Sequence, residues 1–165
     1  MKNIVLIGMP GTGKSTVGVL LAKSLLMDFC DTDLIIQKRY SSPLCDIIAD
    51  IGTESFIRAE DEILADIKLE NTVIATGGSA VYGENAMKNL KNNGIAFYLD
   101  TPLSELEKRL CNIHTRGVAM KEGTTIGELF REREPLYRKY ADITVDCSGL
   151  SPEECVERIV EKLEK

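Results

Sequence analysis

The sequence lacks the residues from which most zinc centres and disulfide frameworks are built. It contains one histidine, His114, no tryptophan, and five cysteines that form no C-x-x-C pair. An odd number of isolated cysteines is not typical of a disulfide-stabilised or zinc-binding protein. We therefore expect reduced thiols and a cytoplasmic protein.

Long apolar runs and clustered positive charges are also missing. No segment approaches the roughly 18 consecutive apolar residues that a membrane span needs, and the apolar start gives way to glycine at Gly8, too early for a signal peptide. The formal net charge of −6 argues against a broad nucleic-acid surface. We expect no membrane or nucleic-acid partner, and a monomer that acts on a small molecule.

Short apolar runs alternate with helical patterns along all 165 residues, a length that predicts one domain, 1–165. The alternation predicts an α/β fold with three layers, a central parallel sheet between two layers of helices. The predicted strands are 3–7, 28–31, 72–75, 95–99 and 143–145, and the predicted helices are 14–26, 34–39, 53–69, 84–92, 103–111, 126–140 and 152–163. Residues 112–125 fit neither period and are predicted to form a lid over a binding site.

The strongest motif is GMPGTGKS at positions 8–15, which matches G-x-x-x-x-G-K-[ST]. Its glycines let the backbone wrap closely around phosphate, and the helix that follows adds its positive N-terminal end. In such a phosphate loop Lys14 reaches the β- and γ-phosphates of a nucleotide, and the hydroxyl of Ser15 binds Mg²⁺. An apolar strand before the motif and a helix after it are the expected context.

Two aspartates, Asp31 and Asp33, follow the second predicted strand. Ligands of open α/β sheets bind at the carboxyl ends of strands, so one aspartate could hold a Mg²⁺-bound water and the other could accept a proton from a hydroxyl. An ordinary acidic helix cap is the alternative interpretation of the same pattern.

Further candidates are ambiguous when each is taken alone. Arg58 is either a ligand-binding residue or a member of a surface ion pair, and the TGGS segment at 76–79 either offers N–H groups to a ligand or is a tight turn. Five arginines surround the predicted lid and either bind phosphate or form a charged helix face: Arg109, Arg116, Arg131, Arg133 and Arg138.

The order of these segments resembles the shikimate kinase family from one end of the chain to the other. GMPGTGKST, DTD, the F-x-R segment 56–58, TGGS, an arginine in the lid and R-x-P-L-Y at 133–137 occur in the family's order and at close to its spacings. The resemblance implies a P-loop fold like that of nucleoside-monophosphate kinases. It also implies that ATP, with Mg²⁺, phosphorylates the 3-hydroxyl of shikimate.

The resemblance also implies roles for individual residues. The catalytic residues would be Lys14, Asp33, which contacts the acceptor hydroxyl, and Arg116, the lid arginine; Ser15 and Asp31 would serve the metal. Nucleotide binding would involve Gly11, Thr12, Gly13, Lys14, Ser15, Thr16, Arg109, Arg116 and Pro152. Acceptor binding would involve Asp33, Arg58, Gly77, Gly78, Ser79 and Arg133, with Arg58 and Arg133 gripping the acceptor's carboxylate.

Two positions depart from the family pattern. Ser79 stands where the family has a third glycine, and Gly117 stands where proline usually follows the lid arginine. Both bear on which acceptor is used more than on the type of reaction. The alternative functions are therefore a kinase of the same fold for gluconate, homoserine or a nucleoside, and a non-catalytic nucleotide-binding module.

The phosphate loop leads to a first prediction. Lys14→Ala should lower turnover by about a hundredfold or more, because an oriented charge on a transferring phosphate contributes roughly 3 kcal/mol to the transition state. ADP release by the purified variant measures the effect, and circular dichroism checks the fold. Near-normal turnover in a folded variant would contradict the assignment of the loop.

Overall fold

The computed structural model describes residues 2–110 and 117–164. It has five strands, β1 to β5, at Asn3–Ile7, Asp28–Asp31, Thr72–Ala75, Gly94–Asp100 and Ile143–Asp146. Eight helices lie in the described ranges, α1 to α8, at Lys14–Leu25, Thr32–Tyr40, Leu44–Ile51, Thr53–Asp66, Glu84–Asn92, Leu103–Arg109, Ile126–Tyr140 and Pro152–Leu163. A short 3₁₀ turn covers Ala80–Tyr82.

The five strands form one parallel sheet in the order β2-β3-β1-β4-β5. Strand β1 lies at its centre and all five of its residues are buried. Successive side chains of a strand point to opposite faces, so Ile4 and Leu6 join one apolar cluster while Val5 and Ile7 join another. The predicted three-layer α/β/α fold is confirmed.

The helices divide between the two faces of the sheet according to these clusters. Helices α1 and α8 contribute to the cluster around Leu6, and α5, α6 and α7 contribute to the cluster around Ile7. Helices α2, α3 and α4 bury a third cluster, which includes Ile36, Ile47 and Phe56. Among the described helices, none has the length and apolar character to cross a membrane.

The parallel arrangement positions the site. The loops after β1, β2 and β3 all leave the sheet at its carboxyl edge. The connection that leaves β1 leads to β2, at one edge of the sheet, whereas the connection that leaves β3 leads to β4, on the other side of β1. The two connections leave in opposite directions, so the crevice between the neighbouring strands β1 and β3 is the topological switch point. Ligands bind at such points in open α/β sheets.

Several sequence predictions of the helices need correction. Helix α3 was not predicted, α2 is longer than the predicted 34–39, and α4 ends at Asp66 rather than at residue 69. Pro43 directly precedes the first residue of α3, a position at which a helix can begin. Gly52 separates α3 from α4. Helix α6 ends at Arg109, short of the predicted end at residue 111. Residue 111 and the first part of the predicted lid lie outside the described residues.

Candidate active site

The phosphate loop links β1 to α1 through two glycines with left-handed backbone angles. Gly11 has φ +84° and Gly13 has φ +88°, conformations that L side chains rarely adopt. Gly13 precedes the first residue of α1, and no side chain caps this helix. The first N–H groups of α1 therefore face the cleft, where an anion can accept their hydrogen bonds.

Lys14 is the charged residue of this loop and is only 7% exposed. Its Nζ donates to the carbonyl oxygens of Gly8 at 2.7 Å and Met9 at 2.8 Å. Burial lowers the pKa of Lys14 to about 8, and the negative charge of Asp33 opposes that shift. An incoming phosphate would favour the charged form of Lys14 and draw Nζ away from the loop carbonyls.

Ser15 and Asp31 come together at the start of α1. The Ser15 hydroxyl donates to Asp31 Oδ2 at 2.6 Å, and Asp31 Oδ1 accepts from the backbone N–H of Asp33 at 3.0 Å. Asp31 therefore caps α2 as well as contacting Ser15. The sequence left a helix cap and a metal-binding role as alternatives for this segment. The structure makes them compatible, because one carboxylate oxygen caps α2 while the other accepts from Ser15.

Asp33 lines the cleft that contains Lys14. Burial, together with the neighbouring charge of Asp31, raises the pKa of Asp33 to about 6, while Lys14 acts in the opposite direction. A carboxylate with such a pKa is largely ionised at neutral pH and binds a proton more readily than an ordinary aspartate. Its position and basicity fit a contact with a hydroxyl group.

The loop after β3 needs glycine for close packing. A Cβ on Gly77 would lie 2.7 Å from Asp33 Oδ1 and 2.9 Å from Glu60 Oε1, and a Cβ on Gly78 would lie 2.8 Å from the Pro10 ring. Neither glycine has a left-handed φ. The side chain of Thr76 donates to the carbonyl of Leu6 at 2.9 Å and ties this loop to β1. The two glycines therefore let carboxylates approach the loop backbone.

Arg133 on α7 is the largest fully buried side chain, with 0% exposure. Its Nε donates to the Tyr82 hydroxyl at 3.2 Å, its Nη2 donates to the carbonyl of Ala119, and its guanidinium lies over the Tyr82 ring. Within the described ranges, no carboxylate lies within ion-pair distance of Arg133. The cleft therefore holds a buried cation that is hydrogen-bonded but not neutralised by a direct partner.

The structure does not bring Arg58 to Arg133. Arg58 is exposed on α4, its Nη2 donates to the Ser55 hydroxyl at 3.3 Å, and it does not line the cleft. The helical repeat is the reason: Phe56 and Glu60, four residues apart, share the buried face, and Arg58 lies midway between them on the opposite side. In the ligand-free chain the two arginines therefore lie in different surroundings, and a joint grip on one carboxylate stays a prediction.

Glu60 is a buried charged residue behind the cleft, against Gly77 and Ser79, that the sequence interpretation missed. It is 1% exposed, its Oε2 accepts from the Ser79 hydroxyl at 2.5 Å, and its Oε1 has no hydrogen-bond partner among the described residues. Burial raises the pKa of Glu60 to about 7; the Ser79 hydrogen bond opposes this and the charge of Asp33 adds to it. The apolar period of α4, which places residue 60 under Phe56, was the available signal.

The other end of the cleft contains candidates for nucleotide binding. Arg109 lines the main cleft, of about 580 Å³, and also a smaller adjoining cavity, of about 180 Å³, that Gly13, Thr16 and Pro152 line with it. Arg109 Nη1 donates to the Gly11 carbonyl at 3.3 Å. The guanidinium therefore lies beside the phosphate loop, where a base or ribose attached to the phosphates would pass.

The described end of the predicted lid packs against the helical layer. Gly117 has φ +67°, and a Cβ there would lie 2.7 Å from Leu44 Cβ and 2.8 Å from the Cys45 nitrogen. The Thr53 hydroxyl donates to the Met120 carbonyl at 3.1 Å. The glycine that replaces the expected proline thus permits a close contact with α3. Residues 112–116 lie outside the described residues.

Most of the predicted site residues line the main cleft, and the exceptions are few. The cleft is lined by Gly11, Gly13, Lys14, Ser15, Thr16, Asp33, Gly77, Gly78, Ser79, Arg109 and Arg133. Thr12 and Pro152 line the adjoining cavity, and Asp31 contacts the cleft through Ser15. Arg58 is outside it, and Arg116 lies outside the described residues. The chemical roles of all these residues stay predictions.

Comparisons with known proteins identify a single family. The sequence model of the family described as "Shikimate kinase" matches residues 10–164. The shikimate kinase of Thermodesulfovibrio yellowstonii is 40% identical over 100% of this chain and 96% of its own length. Human threonine synthase-like 1 is 35% identical over 99% of this chain, which corresponds to only 22% of that protein.

A solved structure supports the same grouping. The shikimate kinase from Acinetobacter baumannii, in complex with shikimate, superposes with a TM-score of 0.88 at 29% identity, over 99% of this chain and 93% of the other. The similarity therefore covers the whole sheet and its helices rather than the phosphate loop alone.

The burial of Glu60 leads to a prediction on stability. Its pKa rises from an ordinary value of 4.5 to about 7 on folding, so between these pH values the unfolded chain ionises first and the free energy of unfolding falls as pH increases. Glu60→Gln should therefore stabilise the ligand-free protein by about 1–3 kcal/mol at pH 8 and have little effect near pH 4.5.

Urea unfolding at both pH values measures this difference. Glu62→Gln provides a matched control, because Glu62 is exposed on the same helix. An equal effect of Glu60→Gln at the two pH values would contradict a raised pKa at this position.

Proposed function

The chain belongs to the shikimate kinase family, and we propose that it transfers the γ-phosphate of ATP to the 3-hydroxyl of shikimate. One observation carries the assignment of the acceptor: the cleft that begins at the phosphate loop ends at a buried arginine without a carboxylate partner among the described residues. The enzyme is an ATP-dependent phosphotransferase, and its product enters aromatic amino-acid biosynthesis.

Arg133 supports an acceptor that carries a carboxylate. A buried guanidinium without a counter-ion is unfavourable, and a bidentate carboxylate supplies both negative charge and hydrogen-bond acceptors. Nη1 of Arg133 lies 3.0 Å from the position of a Cβ on Gly78, so the guanidinium adjoins the loop that we assign to the acceptor. Arg133 therefore binds the acid group of the acceptor and orients the ring.

Asp33 supports phosphorylation of a hydroxyl. It lines the same cleft as Lys14, and the two side chains influence each other's pKa. Asp33 accepts a hydrogen bond from the reacting hydroxyl and takes its proton as the hydroxyl oxygen bonds to the γ-phosphorus, while the bond from that phosphorus to the bridging oxygen breaks and ADP leaves. Lys14 stabilises the negative charge on the transferring phosphate, and Arg116 is expected to add to this charge stabilisation from the lid.

The residues near Ser15 fit a magnesium ion that arrives with the nucleotide. Mg²⁺ prefers oxygen ligands, keeps several waters and is held by one or two protein groups together with substrate phosphates. The Ser15 hydroxyl and the carboxylate of Asp31, 2.6 Å apart, are such a donor set. Ser15 would ligate the ion directly and Asp31 would hold its water shell. The ion would neutralise charge between the β- and γ-phosphates.

The cleft forms within a single chain, so we further propose that the protein acts as a monomer. All the residues that we assign to nucleotide and acceptor belong to one sheet edge and its loops. The four cysteines in the described ranges are unpaired, and this supports a reducing compartment such as the cytoplasm. Light scattering of the purified protein at assay concentration tests the oligomeric state.

Release of ADP in a coupled assay tests the function directly. We expect turnover with shikimate and at least a hundredfold lower kcat/KM with gluconate, homoserine and nucleosides. Nucleosides lack a carboxylate for Arg133, and gluconate and homoserine are flexible chains that do not hold carboxylate and hydroxyl at the fixed separation of a ring. Efficient turnover of one of those compounds, with no turnover of shikimate, would show that the protein is a kinase for a different acceptor. No turnover with any of them above background would overturn the proposal.

The placement of the two arginines leads to a paired prediction. Arg133→Lys should raise KM for shikimate about tenfold or more and leave KM for ATP within about twofold, because lysine keeps the charge but loses the bidentate geometry. Arg58→Lys serves as the matched control, since Arg58 lies outside the cleft.

Steady-state kinetics of both variants, with thermal unfolding as a check of the fold, measure the contrast. A large rise in the shikimate KM for Arg58→Lys, with none for Arg133→Lys, would show that the acceptor's carboxylate binds elsewhere than this structure indicates.

A further inference from the structure

Ser79 is a side chain of the acceptor loop whose hydroxyl does not face an acceptor freely. It is 6% exposed, it lines the cleft, and it donates its single proton to Glu60 Oε2. A serine hydroxyl has one proton to donate, so Ser79 cannot donate to a ligand at the same time. Its influence on the acceptor therefore passes through Glu60.

Glu60 keeps one oxygen available. Oε2 is occupied by Ser79, whereas Oε1 is buried and has no hydrogen-bond partner among the described residues. An unsatisfied buried carboxylate oxygen is unfavourable, and a hydroxyl donor from a ligand would relieve the cost. This oxygen is thus an unused hydrogen-bond acceptor directly behind Gly77, a residue that lines the acceptor end of the cleft.

The position of Oε1 relates it to the reacting hydroxyl. Oε1 of Glu60 and Oδ1 of Asp33 flank the same point on Gly77, at 2.9 Å and 2.7 Å from where a Cβ would lie. Asp33 is the residue to which we assign the hydroxyl that is phosphorylated. Oε1 of Glu60 would accept a hydrogen bond from a second hydroxyl of the same acceptor, close to the first.

We propose that Ser79 is a positioning residue that sets acceptor specificity by holding Glu60 through Oε2, so that Oε1 receives a second, non-reacting hydroxyl of the acceptor. The proposal rests on the kinase function proposed above. With glycine at position 79, Oε2 of Glu60 would lose its donor, and the Glu60 side chain would be free to change rotamer. Serine instead gives Glu60 one orientation and one remaining site.

The charges around Glu60 make this role measurable through pH. The groups that act on it are Asp33 from α2, Asp61 from its own helix, Arg133 from α7 and the Ser79 hydroxyl, and Glu60 in turn acts on Lys14 and Tyr137. The Ser79 hydrogen bond lowers the pKa of Glu60 against the effect of burial. Removal of the hydroxyl should therefore shift ionisation of Glu60 to higher pH, with the other groups unchanged.

The test compares Ser79→Ala and Ser79→Gly with the parent enzyme. We expect KM for shikimate to rise about three- to tenfold, with kcat within about threefold and KM for ATP within about twofold, the pattern of lost acceptor binding. The acid limb of kcat/KM for shikimate should move to higher pH. Ser24→Ala, on the exposed face of α1, is the matched control and should match the parent enzyme.

A double-mutant cycle separates the proposed route from a general structural effect. In a Glu60→Gln background, Ser79→Ala should have little further effect on KM for shikimate, because the two residues act as one unit. Shikimate analogues that lack the 4- or the 5-hydroxyl give a second comparison. One of them should lose about tenfold or more in kcat/KM with the parent enzyme, and much less with Glu60→Gln.

A titration without turnover distinguishes failure of this proposal from failure of the proposed function. Carbon-13 NMR of labelled glutamate, assigned with Glu60→Gln, follows ionisation of Glu60 in the parent protein and in Ser79→Ala. An upward shift supports the proposal whichever hydroxy acid is the substrate. An unchanged titration, an unchanged acceptor KM in Ser79→Ala, or an equal effect in the Glu60→Gln background would overturn it.

Discussion

The active cleft depends on the burial of four charged side chains that do not form direct ion pairs with one another. Lys14, Asp33, Glu60 and Arg133 are withdrawn from solvent, and no carboxylate–cation pair among them is close enough for a salt bridge. Burial costs each charge its hydration, and the pKa shifts of Lys14, Asp33 and Glu60 express that cost. Under the proposed function, a nucleotide phosphate and a hydroxy acid would supply the missing partners, and substrate binding would complete a charge arrangement that the fold alone leaves unfavourable.

Glycine makes that arrangement sterically possible. Gly77 admits two carboxylate oxygens from different helices to within 3 Å of the position of a Cβ, and Gly117 admits the lid against α3. Any side chain at Gly77 would have to displace Asp33 or Glu60. The departures from the family pattern have corresponding reasons: Ser79 has a buried carboxylate as its partner, and Gly117 occupies a left-handed conformation, which proline cannot adopt.

The two arginines to which the resemblance assigns the acceptor's carboxylate lie in different surroundings in the ligand-free chain. Arg109 and Arg133 line the described cleft, at its nucleotide and acceptor ends, while Arg58 faces solvent. Under the proposed function, hydroxyl groups that donate to Asp33 and Glu60 would contribute to discrimination between acceptors. Such polar contacts discriminate strongly, because a ligand that lacks the hydroxyl leaves a buried carboxylate unsatisfied.

The sequence by itself determined the alternation of strands and helices, the phosphate loop and the reaction class, because these depend on local periodicity and on residues that are consecutive in the chain. Three of the strands match their predicted bounds, and the other two were predicted to within one residue at each end. Tertiary structure alone decided that Glu60 is buried against the acceptor loop while Arg58 faces solvent, and that Ser79 contacts Glu60 from 19 residues away. Within a charged helix such as α4, the sequence does not reveal which charge is buried. That depends on which face meets the neighbouring helices and the loop after β3, and only the packed fold specifies it.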